Sequence, residues 1–533
     1  MERFSVFAGV TALTLVSLVG LLWSIWFLVP LAVFAALTAV GVYDVTQRNH
    51  AILRNYPVIG HMRFIFEGVR PEIRQYLIES DQDEEPFSRD ARSLIYQRAK
   101  GVEDKRPFGT RARVYDAGYQ WITHSIVPKT IADHDFRVTI GGPDCRLPYD
   151  ASIYNVSGMS FGALSGNAIL AMNRGARMGG FAHDTGEGGI SRYHREGGGD
   201  LIYQVGSGYF GCRTPDGRFD PDRFSVQAAD PQVKLIELKL SQGAKPGHGG
   251  MLPASKISPE IAEARGVPMG QDCISPASHP EFSTPRGLLE FIARLRELSG
   301  GKPVGMKLCI GHRREFMCIV KAMLETGITP DFIVIDGKEG GTGAAPLEFA
   351  NHVGMPLVEG LTFAHNTLRG AGLRDRIRIG ASGKVVSAFD LAKVLVLGAD
   401  WANSARGFMF AVGCIQAQAC HTNECPVGVA TQDKLRQRAL DVPEKAERVF
   451  RFHQNTLKAL AEMTGAAGLS RPGDFLPHHL MMREKDREMV TGADVYPYLP
   501  DGFLIDGKGD DFGYALRWQR ASTDSFDPPP GAV

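Results

Sequence analysis

Phe332-Ile-Val-Ile-Asp336-Gly-Lys-Glu-Gly-Gly-Thr-Gly-Ala-Ala345 is a short apolar run that ends on an aspartate and opens into a loop with four glycines. A strand apolar along its whole length belongs in a parallel sheet covered on both faces, not in a sheet with one wet face. The glycine loop at its carboxyl end exposes backbone N–H groups, which is what a bound anion needs.

The same unit recurs outward in both directions. Strand candidates of this kind are Ile153–Ser157, Phe181–Asp184, Leu201–Val205, Val233–Lys239, Val304–Leu308, Phe332–Asp336, Ile377–Gly380 and Trp401–Ser404. Helical stretches intervene, among them Ala163–Met178, Pro285–Leu298, Arg314–Leu324 and Ala388–Leu397. Eight strands alternating with helices predict an α/β fold, a (β/α)8 TIM barrel, with an open doubly wound sheet as the alternative. In a TIM barrel the chemistry sits at the carboxyl ends of the strands. The unusual loops fall there: Ser157–Ser165, Asp184–Gly189, Lys239–Gly250, Asp336–Ala345 and Gly380–Lys384. The last two read as a phosphate cradle, because late barrel loops commonly hold phosphate.

A second stretch, Cys414-Ile-Gln-Ala-Gln-Ala-Cys420-His-Thr-Asn-Glu-Cys425-Pro426, sets three thiols five and then four residues apart. Soft thiolates brought together by a short loop suit iron, and a closing Cys-Pro is a feature of ferredoxin loops. A zinc site and plain buried cysteines are the alternatives, although no fourth ligand stands near. The other five cysteines are scattered through a long chain, which argues against a disulfide framework and for a reducing compartment.

No charged residue occurs from Phe4 to Tyr43, a run of forty positions. That is twice the roughly 20 residues one bilayer crossing needs. It predicts a transmembrane helical hairpin, about Phe4–Trp23 and Trp26–Tyr43; a signal peptide or a single tilted span is the alternative. Arg3 before the run and Arg48 and Arg54 after it place both ends in the cytoplasm. The expected location is therefore the inner (cytoplasmic) membrane, multi-pass, with the anchor in lipid and the catalytic body in the cytoplasm. The 59 basic and 59 acidic residues balance, which speaks against a nucleic-acid partner. Between anchor and barrel the chain carries no evident chemistry. It has helical composition at Pro71–Ser80 and Arg89–Arg98 and an acidic loop at Asp81–Pro86. The domain reading is thus 1–45 hairpin, 46–150 linker and packing region, 151–465 barrel with the cysteine loop, and 466–533 carboxyl-terminal extension.

Gly413-Cys414, Cys420-His-Thr-Asn423 and Cys425-Pro-Val-Gly-Val-Ala-Thr-Gln432 resemble the cluster loop of the glutamate synthase large subunit. The resemblance runs from about residue 150 to 465, and the chain is identified as a member of the FMN-binding glutamate synthase family. It implies FMN in the barrel and a [3Fe-4S] cluster on Cys414, Cys420 and Cys425. It implies flavin contacts from Ser157, Met159, Ser160, Lys307, Gly341, Gly343, Gly383 and Gly407, with Lys307 stabilising negative charge on the reduced ring. Glu187 and Lys245 match catalytic positions, and Arg265 and Gln242 match substrate-binding ones; a guanidinium fork suits a carboxylate.

Two departures stand out. The family's Lys-Pro-Gly-Glu-Gly-Gly-Gln is here Lys245-Pro-Gly-His248-Gly-Gly-Met251. The implied reaction is reduction of an imine, formed from 2-oxoglutarate or another oxoacid and ammonia or an amine, to glutamate or a related amino acid. An amine or amino-acid dehydrogenase, an N-methylglutamate synthase-like enzyme and a non-catalytic electron-transfer subunit are the alternatives. The chain begins Met-Glu-Arg and enters the apolar run, so a glutaminase domain is not expected, nor is the family's helical-repeat domain. No strand–GxGxxG–helix fingerprint is present. Electrons are expected from outside, from ferredoxin, an NAD(P)H-oxidising subunit or a quinol.

Overall fold

The computed structural model describes residues 2–47, 50–81, 86–105, 107–485, 488–506 and 513–528. The chain divides into two compact units, Met1–Arg89 and Asp90–Val533. Arg48 and most of the expected acidic loop, residues 82–85, lie outside the described residues.

The larger unit is built on a closed barrel of eight parallel strands. They are β1 (Tyr154–Val156), β2 (His183–Asp184), β3 (Leu201–Val205), β4 (Val233–Lys239), β5 (Val304–Leu308), β6 (Phe332–Asp336), β7 (Arg378–Ser382) and β8 (Trp401–Ser404). Each pairs with its neighbours in chain order, and β8 closes on β1. The open doubly wound alternative is thereby excluded. The expected bounds hold for β3, β4, β5, β6 and β8. Three runs moved: β1 loses one residue at each end of its run, β2 keeps only the last two residues of its run, and β7 continues through Ala381 and Ser382, pairing with Ile335 and Asp336.

The register determines which side chains meet at the mouth. Gln204 lies opposite Glu237 across β3 and β4, and Lys239 opposite Lys307 across β4 and β5. Helices cover the outside by their apolar faces. One, Gly166–Gly179, starts where Ser165 Oγ accepts the Ala168 N–H and stops at Gly180, which takes a left-handed φ of 61°. It packs against the long helix Val442–Ala466, where a Cβ at Gly175 would meet Val449 at 2.5 Å. After the cysteine loop come two helices, Lys434–Gln437 and Val442–Ala466, with Asp441 capping the second ahead of Pro443. Part of the carboxyl-terminal extension folds back: Leu480–Arg483 pairs antiparallel with both Gln120–Ile122 and Met489–Thr491.

The smaller unit carries an apolar helix pair, α1 (Ser5–Gly20) and α2 (Leu28–Thr46). The two pack closely: Thr14 and Thr38 hydroxyls share a hydrogen bond of 2.9 Å, and a Cβ at Gly41 would overlap Phe7. Of the two expected spans, the first is not shown. Among the described residues one helix, Ile25–Thr46, with 22 residues and mean hydropathy 2.3, is long and apolar enough to cross a membrane; α1 has 16 residues. At about 1.5 Å per residue α1 reaches only about 24 Å, short of the ~30 Å hydrocarbon core.

Candidate active site

Four barrel strands send polar side chains into the interior below the mouth. Gln204 of β3 donates to Glu237 Oε1 of β4 at 2.7 Å and to Asp184 Oδ2 of β2 at 3.0 Å. Lys307 Nζ of β5 lies 3.6 Å from Glu237 Oε1. All four side chains are buried. Burial raises both carboxyls, and each acts on the other; Glu237 is pushed up to about 8 by burial and by the Asp184 charge. The buried carboxyl pair therefore retains a proton near neutral pH. Lys307 is raised despite its burial, because Glu237, Asp184, Asp336 and Glu187 outweigh the cost of desolvation. It is a firmly charged ammonium at the floor of the mouth.

The mouth itself centres on Glu187, carried by the loop after β2. Burial would raise its carboxyl, but Lys239 at 3.0 Å, with Arg265 and Lys245, holds it below the usual range. Gly206 and Gly250 flank it so closely that a Cβ at either would fall within 2.9 Å of a Glu187 oxygen. Lys245 is buried, donates to the Gly249 carbonyl at 2.9 Å and is lowered mainly by desolvation. Arg265 ends the short helix Pro259–Arg265 in the long segment after β4. Its guanidinium donates to the Phe161 carbonyl at 3.2 Å and to Ser160 Oγ at 3.3 Å and lies over the Phe210 ring. Its buried Nε has no hydrogen-bond partner.

The expected flavin residues line the same rim. Ser157 N–H donates to the Ser404 carbonyl, and its hydroxyl lies 3.3 Å from that of Ser382, so the loops after β1, β7 and β8 are joined. Met159 and Ser160 back onto Gly186, where a Cβ would come within 2.6 Å of the Ser160 nitrogen. Gly383 follows β7 with φ 155°, and Gly407 is buried in the first turn of Arg406–Ala411 after β8. Gly341 leaves open space: the nearest atom to a Cβ there is Arg406 Nη2, at 3.9 Å. Backbone-lined loops over a buried cation fit a flavin phosphate and ring.

Gln242, expected at the substrate, is half-buried beside Lys245. His248 is exposed against Phe349, and Met251 is 48% exposed in a two-residue strand paired to Ile274. Lys239, Glu237, Gln204, Asp184 and Arg406 were not singled out from the sequence. The available signal was a charge inside a buried run: Val-Lys-Leu-Ile-Glu-Leu-Lys places Glu237 where a barrel interior must pair it.

The cysteine loop winds tightly. Gln416, Gln418 and Asn423 all take left-handed φ between 55° and 69°. Cys414 and Cys425 are buried and Cys420 half-buried. The loop is tied down: Tyr96 donates to the Cys414 carbonyl at 2.6 Å, Lys256 to the Cys420 carbonyl at 2.7 Å, and Gln432 to the Gly162 and Leu164 carbonyls. Burial pushes the Cys414 thiol up to about 11, and the charges of Cys420 and Cys425 act in the same direction. Among the described residues no three His, Cys, Asp or Glu side chains stand together closely enough to hold a metal ion. Two sulfurs face other donors instead, Cys414 the Gln416 N–H at 3.5 Å and Cys420 the Arg406 guanidinium at 3.8 Å. The donor chemistry still fits a cluster: three thiols, an N–H on one sulfur, and Arg406 and Lys256 to offset thiolate charge.

Residues 150–470 match the family model described as the conserved region in glutamate synthase. The chain is 38% identical over 504 residues to a glutamate synthase large subunit-like protein, YerD, of Bacillus subtilis, covering 87% of this chain and 95% of that one. It is 34% identical to an archaeal-type glutamate synthase [NADPH] of Thermotoga neapolitana, covering 64% of this chain and 62% of that one. Among solved structures, a mandelate oxidase aligns at a TM-score of 0.41 and 14% identity over 76% of this chain and 97% of that one, a likeness too slight to bear on ligand or reaction.

Proposed function

The chain belongs to the glutamate synthase family, and on that premise we propose that it is a membrane-anchored, glutamate synthase-type oxidoreductase that reduces an imine of an oxoacid. The observation that carries the reading is the cluster of Lys239, Lys245, Arg265 and Lys307, all of which bear on Glu187 or on the carboxylates beneath it. Such a mouth holds an anionic substrate and keeps one carboxylate ionised within it.

FMN bound at the rim supplies hydride transfer. Ser157, Met159 and Ser160 would hold its ring edge, the backbone of Gly341, Gly343, Gly383 and Gly407 its phosphate, and Lys307 its charge. Cys414, Cys420 and Cys425 would hold a [3Fe-4S] cluster that supplies single-electron delivery. Arg265 orients the carboxylate of 2-oxoglutarate or a similar oxoacid, with Gln242 and Lys245 on the carbonyl side. Glu187 accepts the proton released when ammonia or an amine condenses, held ready by Lys239. Relatives named for NADPH favour electrons that originate there and arrive through a partner.

Anchoring rests on the apolar Ile25–Thr46, little of which is buried, and the arginines that follow it, Arg48 and Arg54, favour a catalytic body on the cytoplasmic side. The test uses purified full-length protein in detergent, assayed for bound flavin, iron and sulfide. Turnover with 2-oxoglutarate plus ammonium, against 2-oxoglutarate plus methylamine, then identifies the nitrogen source. Flavin that no oxoacid–amine pair reoxidises would overturn the synthase reading.

A further inference from the structure

The helix that follows the anchor has no covered face. It runs His61–Ile73 and continues as Arg74–Ile78, and none of its residues is buried. At 100° per residue, Met62, Ile65, Phe66, Val69 and Ile73 share one arc of the His61–Ile73 helix. All five are exposed, from 37% for Ile73 to 58% for Phe66. Arg63, Arg70 and Arg74 fall along the edge of that arc.

We propose that this helix lies in the interface of an anionic bilayer with its apolar stripe among the acyl chains. Rather than a protein partner, three observations favour lipid. First, the helix begins where the anchor ends. His61 Nε2 is 2.9 Å from Asp44, two residues before the end of Leu28–Thr46, and the same carboxylate accepts the Val58 N–H at 2.9 Å. If Ile25–Thr46 spans the bilayer, the first turn of the amphipathic helix is held at its boundary. Second, the composition is interfacial: aromatic Phe66 in the stripe, Tyr56 before it and Tyr76 after it, all exposed. Third, the arginines flank the stripe on one edge, where they reach phosphate headgroups while their stems remain over apolar surface. The inference rests on the membrane-anchored reading above and goes beyond it. The bilayer is not only an attachment point but also the surface that covers this helix.

The test is fluorescence quenching of full-length protein in vesicles of phosphatidylcholine and phosphatidylglycerol whose acyl chains carry bromine either near the headgroup or deep in the chain. Wild type reports on the anchor, because Trp23 and Trp26 lie in its apolar run. Phe66→Trp adds a probe on the stripe and Glu67→Trp one on the opposite face. The expected result is a blue-shifted extra emission from Phe66→Trp, lost with shallow bromine more than with deep bromine, and an unquenched extra emission from Glu67→Trp. Wild-type quenching together with an unquenched Phe66→Trp would overturn the proposal while leaving the anchor intact. A blue-shifted but unquenched Phe66→Trp would assign the stripe to a protein partner, and no quenching of wild type would remove the anchor and this inference together.

Discussion

Gly343 lies against Cys420: a Cβ at Gly343 would stand 3.0 Å from the Cys420 Cβ. The glycine loop after β6 and the cysteine loop after β8 are therefore in direct contact at the barrel mouth. Arg406 reinforces the junction, facing the Gly341 carbonyl on one side and Cys420 Sγ on the other.

This contact leaves no room for a branched side chain. Gly343→Val is expected to push the loops apart and lower both flavin and iron content per mole of protein. Retention of both cofactors in that variant, measured by absorbance and iron assay, would show that the junction tolerates the displacement.

The cluster assignment makes a separate prediction. Cys420→Ser should lose iron and acid-labile sulfide while keeping the flavin, because a serine hydroxyl is a poor substitute for a soft thiolate. Cys273→Ser, at a buried thiol outside the loop, should change neither. An unchanged iron and sulfide content in Cys420→Ser would refute the assignment.

Glu237 predicts a pH dependence. Its carboxyl is raised to about 8 in the folded protein, from the ordinary 4.5 of a free glutamate. Between those values the folded chain binds a proton that the unfolded chain has released, so stability falls as pH rises through this window. Above about 8 the buried group is ionised beside Asp184 and its destabilising effect is complete. Glu237→Gln keeps the shape without the titration and should flatten the decline in melting temperature between about pH 5 and pH 8. An equally steep decline in the variant would place the titrating group elsewhere.

Arg265 is expected to act on substrate affinity. Arg265→Lys keeps the charge but loses the fork and the contact with Phe161. Charge-assisted hydrogen bonds of this kind contribute about 1.5–3 kcal/mol, so KM for the oxoacid should rise roughly 10- to 100-fold with a smaller change in kcat. A fall in kcat at unchanged KM would move Arg265 from substrate binding to the chemical step.

Much of this arrangement was legible in the sequence for a simple physical reason. Barrel strands buried on both sides are mostly apolar, so runs such as Leu201–Val205 and Phe332–Asp336 announce themselves, and glycine loops mark the functional end. What was not legible is the pairing between strands. That Gln204 sits opposite Glu237, and Lys239 opposite Lys307, follows from register, which no single strand contains. Arg406 was missed for the same reason: its role arises from two loops, around Gly341 and Cys420, that meet only in the folded chain. The length of α1 was overestimated because an uncharged run does not show where the chain turns, and here Leu21–Ser24 interrupt the helices.

The central claim is that this barrel mouth reduces an imine of an oxoacid, and the most direct measurement is a single turnover. The protein, held anaerobically with its flavin photoreduced, is mixed with 2-oxoglutarate plus ammonium, and in parallel with 2-oxoglutarate plus methylamine, while flavin absorbance and products are followed. Rapid reoxidation with one pair, and formation of glutamate or N-methylglutamate in step with it, is the expected result. A flavin that stays reduced with both pairs, in protein that retains its cofactors, would contradict it.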